Sequence, residues 1–293
     1  MEIKEILEKI RLNDTYIFPK EELLEAIEKK AEIIPELISI IRNATENSNK
    51  LEDSYFAHIY AMYLLAQFRE KKAFPVIIDF FSLPGKISRD LTGDIVTESL
   101  HRILASVYDG DFSLLKGLIE DETRSKWFRL ACLKTLVILV VNNIESREKI
   151  LNYFYTLFTG GLEEGSSYIR SRLIGYCLNL YPNDKIYEQI KISYEKGLVD
   201  IGLIGTMEDV EEEIARGPEC LLARTKDNPY FNFINDTISE LKSWACFDRS
   251  DDLFNKKMYD NRKRQIQNEK IKRIKKKKLK KKLKKEQRKK RKK

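Results

Sequence analysis

The sequence predicts an all-α protein, an α-solenoid of HEAT- or armadillo-like helical hairpins followed by a disordered basic C-terminal tail. Residues 57–85 have the pattern of two apolar helices joined by a short charged turn. Similar pairs recur every 36 to 38 residues, with Ile77, Leu115, Leu151 and Tyr187 at comparable points, and a period of about 35–45 residues is typical of such repeats. No run alternates apolar and polar residues as a half-buried strand would.

Residues 1–50 are predicted to form an N-terminal cap made of three helices. The apolar spacing places these helices at 2–12, 20–30 and 34–43. Pro35 then falls in the first turn of the third helix, where its missing N–H has no intrahelical partner to lose.

Residues 51–205 are predicted to hold four repeat pairs. In the first pair, Pro75 lies in the first turn of the second helix and Pro84 with Gly85 ends it. A single hairpin cannot bury its own apolar faces, so the pairs are expected to stack on one another. The later pairs are predicted at 96–107 with 114–119, 125–142 with 146–158, and 167–180 with 185–198.

Residues 206–249 are predicted to cap the C-terminal end of the repeats. A short acidic helix begins after Thr206, which suits an N-cap because its hydroxyl accepts from a free backbone N–H. Gly217 and Pro218 end that helix, and a last helix at 236–247 closes with an aromatic plug.

Charge separates a folded domain, residues 1–249, from a Lys/Arg-rich tail, residues 250–293. Of the 54 basic residues, 23 lie from Lys256 onward with three acids, so that segment carries +20 and the chain before it −12. Repulsion between like charges opposes a free helix, and a disordered tail that binds polyanions is expected. The residues predicted to bind are Lys275, Lys276, Lys277, Lys278, Lys280, Lys281, Lys282, Lys284, Lys285, Arg288, Lys289, Lys290, Arg291, Lys292 and Lys293.

Composition favours a cytoplasmic protein with reduced cysteines. The four cysteines lie 26 to 45 residues apart, which matches no metal-binding spacing. The N-terminus is charged from its second residue, unlike a signal peptide. The most apolar run, residues 130–141, contains Lys134 and is too short to span a bilayer, so it is predicted to be a buried helix without a transmembrane role.

The two histidines, His58 and His101, are weak candidates for a metal site. Glu98 and His101 form a Glu-x-x-His pattern, which would place both side chains on one helical face. Di-iron bundles need that pattern twice with two further glutamates, and it occurs once here. The favoured alternative is a half-buried histidine bonded to a neighbouring carboxylate, and no cofactor is predicted.

Four polar residues flank the predicted helix at 96–107: Thr92, Asp94, Asp109 and Asp111. They could form an acidic rim beside Glu98 on a ligand-binding face. Thr92 or Asp94, and Asp111, also suit helix N-caps, which accounts for these residue types without a ligand.

Long blocks of the sequence carry a family resemblance. They include AHIYAMYLLAQFREKKAFPVIIDFFSLPG at 57–85 and LTGDIVTESLHRILASVYDGD at 91–111, with further blocks at 146–158, 194–217 and 234–247. Together they resemble the bacterial domain-of-unknown-function family 1186, which implies a helical, repeat-like fold and no established activity. Many similar proteins end in a cysteine-rich zinc motif like that of the SecA translocation ATPase; no cysteine follows Cys246 here, so that site is not expected.

Three functions are compatible with these observations. The first is a non-enzymatic scaffold for an unidentified protein partner, because a solenoid offers a long binding surface. The second is a nucleic-acid- or ribosome-associated protein that contacts phosphates through the tail without reading sequence. The third and weakest is a metal-dependent enzyme that uses Glu98 and His101. The sequence does not indicate an oligomeric state.

Overall fold

The computed structural model describes residues 1–13, 17–162 and 165–247. Helices dominate this part of the chain, and its only ladder-type pairing is an isolated bridge between Leu12 and Tyr55. The described residues fall into two compact units: one holds 1–13, 19–162 and 165–241, and the other holds 17–18 with 242–247. The all-helical fold class is therefore confirmed, while the predicted tail lies outside the described residues.

Seventeen α-helices account for most of the first unit. The first nine are α1 (Ile3–Lys9), α2 (Lys20–Glu28), α3 (Lys30–Glu46), α4 (Ala57–Phe68), α5 (Ala73–Phe81), α6 (Ile87–Thr92), α7 (Ile95–Glu98), α8 (Leu100–Val107) and α9 (Phe112–Glu120). The others are α10 (Lys126–Val141), α11 (Arg147–Thr156), α12 (Ser167–Asn179), α13 (Asp184–Glu195), α14 (Ile201–Ile204), α15 (Met207–Ala215), α16 (Pro218–Asp227) and α17 (Thr237–Leu241).

The first helix of each predicted pair packs on the first helix of the next. Helix α4 lies between α3 and α8, α8 packs against α10, and α10 packs against α12. The second helices lie beside this row, with α5 against α3, α9 against α10 and α13 against α11. These contacts join successive first helices to one another, and of the predicted hairpins the one formed by α10 and α11 is packed together.

Helices α4 and α10 form the centre of the core because nearly all sides of both helices are buried. Eleven of the twelve residues of α4 are buried, including the large side chains of Tyr60, Met62 and Tyr63. The run at 130–141 is a buried helix as predicted, and Cys132 within it is fully enclosed. Full burial of a valine, leucine, isoleucine, phenylalanine or methionine side chain stabilises the fold by about 1.5–3 kcal/mol relative to its exposed state. None of the helices in the described ranges is both long and apolar enough to cross a bilayer.

Several local predictions are confirmed. Arg69 turns the chain after α4 in the left-handed conformation (φ 58°), and Pro75 occupies the first turn of α5. Thr206 caps α15 in a reciprocal capping box with Asp209. Gly217 (φ 84°) follows the end of α15 and precedes the first residue of α16.

Other boundaries differ from the predictions. Helix α3 begins at Lys30, so Pro35 lies inside it and removes one intrahelical hydrogen bond instead of sitting in the first turn. Residues 87–92 form a helix in a segment to which the sequence assigned no element, and Ser99 (φ −134°) breaks the predicted helix at 96–107 into two. The sequence also missed α16, and the predicted helix at 236–247 is reduced to α17 and a final 3₁₀ turn.

Deleting residues 250–293 is expected to leave the helical domain folded, because the described core is built entirely from residues before them. The melting temperature of the shortened chain should stay close to that of the full chain in circular dichroism. A drop of about 10 °C or more, which corresponds to several kcal/mol for a domain of this size, would make the tail part of the core.

Candidate functional site

Both histidines are buried and bonded to backbone carbonyl groups. His58 Nε2 lies 3.0 Å from the Leu91 oxygen, and His101 Nε2 lies 3.2 Å from the Tyr230 oxygen. Burial lowers the pKa of His58 to about 4 and that of His101 to about 2. Both rings are therefore neutral at pH 7, and each donates its Nε2 proton because a carbonyl oxygen can only accept. The expectation of a half-buried histidine bonded to a carboxylate is wrong for both residues.

The predicted metal residues are not brought together. Ser99 interrupts the helix between Glu98, which is exposed at the end of α7, and His101, which is buried in α8. The prediction that these two side chains share a helical face is wrong for that reason. Across the described ranges, no group of three or more histidine, cysteine or acidic side chains is close enough to hold a metal ion.

The four polar candidates around α8 have separate local roles. Thr92 is not an N-cap: it is buried in α6 and donates to the Ser88 carbonyl over 2.8 Å. Asp94 precedes α7 but its side chain accepts no cap bond. Asp111 caps α9 as predicted by accepting from Leu114 N at 3.1 Å. Asp109 accepts from Asp111 N at 2.9 Å, so this pair shapes the turn between α8 and α9.

The most distinctive site is one that the sequence did not indicate. Residues 228–237, which we call the strap, leave α16 through a short 3₁₀ turn (Pro229–Phe231) and then run without helix as far as α17. Asn232 has an extended backbone, with φ −102° and ψ 156°. Phe231 is 6% exposed and Ile234 is fully buried, so the strap inserts side chains into the core.

Five consecutive carbonyl oxygens of the strap accept hydrogen bonds from side chains of α8 and of the residues that directly follow α4 and α10. These donors form what we call the strap face. The bonds run from His101 to Tyr230 (3.2 Å), Asn142 to Phe231 (3.1 Å), Arg102 to Asn232 (2.8 Å) and Phe233 (3.1 Å), and Arg69 to Ile234 (2.6 Å). Two strap N–H groups are bonded as well: Ile234 N donates to Ser106 (2.9 Å) and Thr237 N to Gln67 (2.8 Å).

Two arginines anchor the strap through their planar guanidinium groups. Arg102 forms a two-pronged ion pair with Glu240 of α17, at 2.7 and 2.8 Å. Arg69 stacks on the Phe233 ring at 4.7 Å and donates to Asn235 Oδ1 at 2.6 Å. A lysine lacks the fork geometry that allows one side chain to meet several acceptors in this way.

Lys134 brings a partly buried charge to the same face. Its ammonium lies 5.5 Å from the ring centre of Tyr230 and 5.0 Å from that of Phe231. Burial lowers the pKa of Lys134 to about 8, while the charge of Glu98 acts in the opposite direction. Cation–π contact with two rings compensates part of the lost hydration. In the sequence, Lys134 is the one charge in the apolar run at 130–141, but its position alone did not indicate the strap.

Comparison with known proteins places the chain among relatives without a described activity. It is 38% identical to an uncharacterized protein of Chlamydia trachomatis serovar D, and 37% identical to one of Chlamydia muridarum. Each match covers 83% of this chain and 96% or 97% of the relative. No solved structure matches.

The family comparison covers the helical domain. The model described as protein of unknown function (DUF1186) matches residues 1–248. The strap and the side chains that hold it lie inside this region, and the basic tail lies beyond it. The chain belongs to the DUF1186 family of proteins of unknown function.

Proposed function

We propose that the protein is a non-enzymatic interaction scaffold, a solenoid-like array of helical pairs whose strap face binds an extended segment of a partner protein. The observation that carries this proposal is the set of five consecutive strap carbonyls, 230 to 234, that accept bonds from side chains of the helices. The strap occupies the face in the free chain, and the partner's segment replaces it.

Main-chain recognition supports this function because any extended polypeptide presents the same carbonyl groups. Affinity then comes from the main-chain bonds, and selectivity comes from sockets for side chains. The strap fills two such sockets with Phe231 and Ile234. We therefore infer that the partner's segment carries an aromatic residue followed three positions later by an aliphatic one.

The repeat architecture supports the same reading. The first helices α4, α8 and α10 pack in succession, and donors to the strap come from α8 and from the residues that directly follow α4 and α10. Repeated helices are arranged in this way when neighbouring units share one binding surface. The roles of the histidines point away from catalysis, because Nε2 of His101 is already engaged by a strap carbonyl.

A peptide-exchange experiment tests the strap face. A fluorescent peptide of residues 228–241 is titrated into the full chain and into the variant Glu240→Ala. This variant loses the ion pair between Arg102 and Glu240 that anchors its own strap, but Arg102 remains available to the peptide. The apparent affinity for the peptide is proportional to the fraction of molecules whose strap face is open. Because Glu240→Ala raises that fraction, the variant should bind the peptide at least about tenfold more tightly than the unmodified chain.

The controls separate exchange from surface adhesion. Glu219→Ala removes an exposed acid from α16 and should bind the peptide as the unmodified chain does. A peptide with the same composition in scrambled order should bind neither chain. Equal binding of both peptides, or no binding to Glu240→Ala, would contradict the proposal.

A second candidate function rests on the charge of the tail. The segment from Lys256 carries 23 basic residues against three acids, which favours contact with the phosphates of a nucleic acid or ribosome. This activity needs no contribution from the strap face, so the two functions can be tested separately.

A further inference from the structure

A basic cleft lies in the first unit, and its lining includes none of the strap-face donors. It has a volume of about 1000 Å³ and is bounded by the turn after α5, the junction of α6 with α7, and the start of α10. Small-molecule sites usually have volumes of roughly 300–1,000 Å³. The cleft therefore has room for a ligand the size of a nucleotide.

The charge of the cleft is opposite to that of the domain around it. Four basic residues line it, namely Lys86, Arg89, Arg124 and Lys126, and Asp94 is the only acid in its lining. The chain before the basic tail carries a net charge of −12. Four cations converging on one cleft repel one another, and an anion bound between them would remove that cost.

Three of these cations are available to a ligand. Among the described residues, Lys86, Arg89 and Lys126 form no ion pair with an acid. Arg124 is held in place instead, because its Nε donates to Asp121 Oδ2 at 2.9 Å and its Nη1 to the Ser82 carbonyl at 3.3 Å. The cleft thus combines one fixed guanidinium with three exposed charges that can adjust to an anion.

An aromatic wall completes the cleft. Trp127 is half-buried and meets Tyr168 edge to face at 5.5 Å between ring centres. The Lys126 ammonium lies 4.8 Å from the Trp127 ring centre and 4.7 Å from that of Tyr168, so a positive charge borders the ring. The buried Phe81 and Phe128 contribute apolar surface to the lining.

We propose that this cleft binds a nucleotide, with its phosphates on Lys86, Arg89 and Arg124 and its base against Trp127. Guanidinium groups bond phosphate oxygens in pairs, and lysine adds charge without directional demand. A planar base stacks on an indole ring, whereas a phosphate group has no ring that could stack on the aromatic wall. The proposal goes beyond the scaffold function and does not depend on the strap face.

Calorimetric titration of the full chain tests this site with three probes: ATP, adenosine and inorganic tripolyphosphate. The basic tail offers a second place for polyphosphates, so the comparison is made between variants that share the tail. Arg89→Glu in the cleft is matched with Arg42→Glu on α3, since both residues are exposed and both changes alter the net charge by −2. ATP binding should weaken at least tenfold in Arg89→Glu and stay unchanged in Arg42→Glu.

The aromatic wall is tested with Trp127→Ala. This change should weaken ATP at least threefold and leave tripolyphosphate unaffected. If Arg89→Glu and Arg42→Glu lost equal ATP affinity, ATP would be attracted by the net charge of the chain, and binding in the cleft would be refuted. If ATP and tripolyphosphate bound with equal affinity and Trp127→Ala changed neither, the conclusion that the ligand is a nucleotide would be refuted. Circular dichroism of each variant checks that the helical domain is intact.

Discussion

Replacing Arg102 with alanine is expected to lower the free energy of unfolding by about 3 kcal/mol. Removing one member of a buried ion pair costs about 3–5 kcal/mol, and the lower end applies because the Glu240 side chain is 25% exposed while that of Arg102 is 12% exposed. The substitution also leaves the carbonyls of Asn232 and Phe233 without their donor. In a domain of this size the melting temperature should fall by roughly 6–12 °C.

Urea unfolding followed by circular dichroism measures this effect. Arg42→Ala serves as the matched control, because Arg42 is exposed on α3 and such substitutions usually change stability by less than about 0.5 kcal/mol. Arg102→Lys keeps the charge but loses the fork, so it should recover only part of the loss. If Arg102→Ala were as neutral as Arg42→Ala, the strap would not be held as described.

The helices themselves could largely be predicted from the sequence. Helices α10, α12 and α13 begin and end no more than three residues from the predicted positions, because apolar spacing and cap residues are local signals. The caps at Asp111 and Thr206 were predictable for the same reason: each needs only its own hydroxyl or carboxylate and a backbone N–H three residues on.

The strap could not be predicted, because the bonds that hold it join residues far apart in the chain. Arg102 and Asn232 are separated by 130 positions, and Arg69 and Ile234 by 165. No local pattern encodes such pairs, and the strap's own sequence has no helical or strand periodicity. The same limit explains His101, whose partner is a carbonyl 129 residues away and not the nearby Glu98.

The break at Ser99 was missed for a different reason. The apolar residues before and after it keep helical spacing across the break, from Val96 to Leu100 and Ile103, so the periodicity gives no signal there. The interruption lies in the backbone of Ser99 itself, whose φ of −134° is far from the helical value. A site predicted from two side chains within one helical turn, such as Glu98 and His101, therefore fails when the helix is interrupted between them.

The affinity of the full chain for duplex DNA is expected to fall by about 10³–10⁵ between 50 and 200 mM salt. For duplex DNA, each neutralised phosphate adds about −0.9 to the slope of log affinity against log salt, and a fall of this size corresponds to six to ten phosphate contacts. The tail supplies more than enough lysines for that number, with few acids to compete for them. Because lysine makes point-charge contacts and reads no sequence, two unrelated duplexes should bind equally.

The decisive measurement compares three molecules across a salt series: the full chain, the chain ending at Arg249, and a peptide of residues 250–293. The full chain and the peptide should share a steep slope, and the shortened chain should bind at least a hundredfold more weakly at 50 mM salt. Arg102→Ala in the full chain should leave the slope unchanged, since the strap face contributes no phosphate contact. If the shortened chain bound as well as the full chain, or if the slope were near zero, phosphate binding by the tail would be refuted.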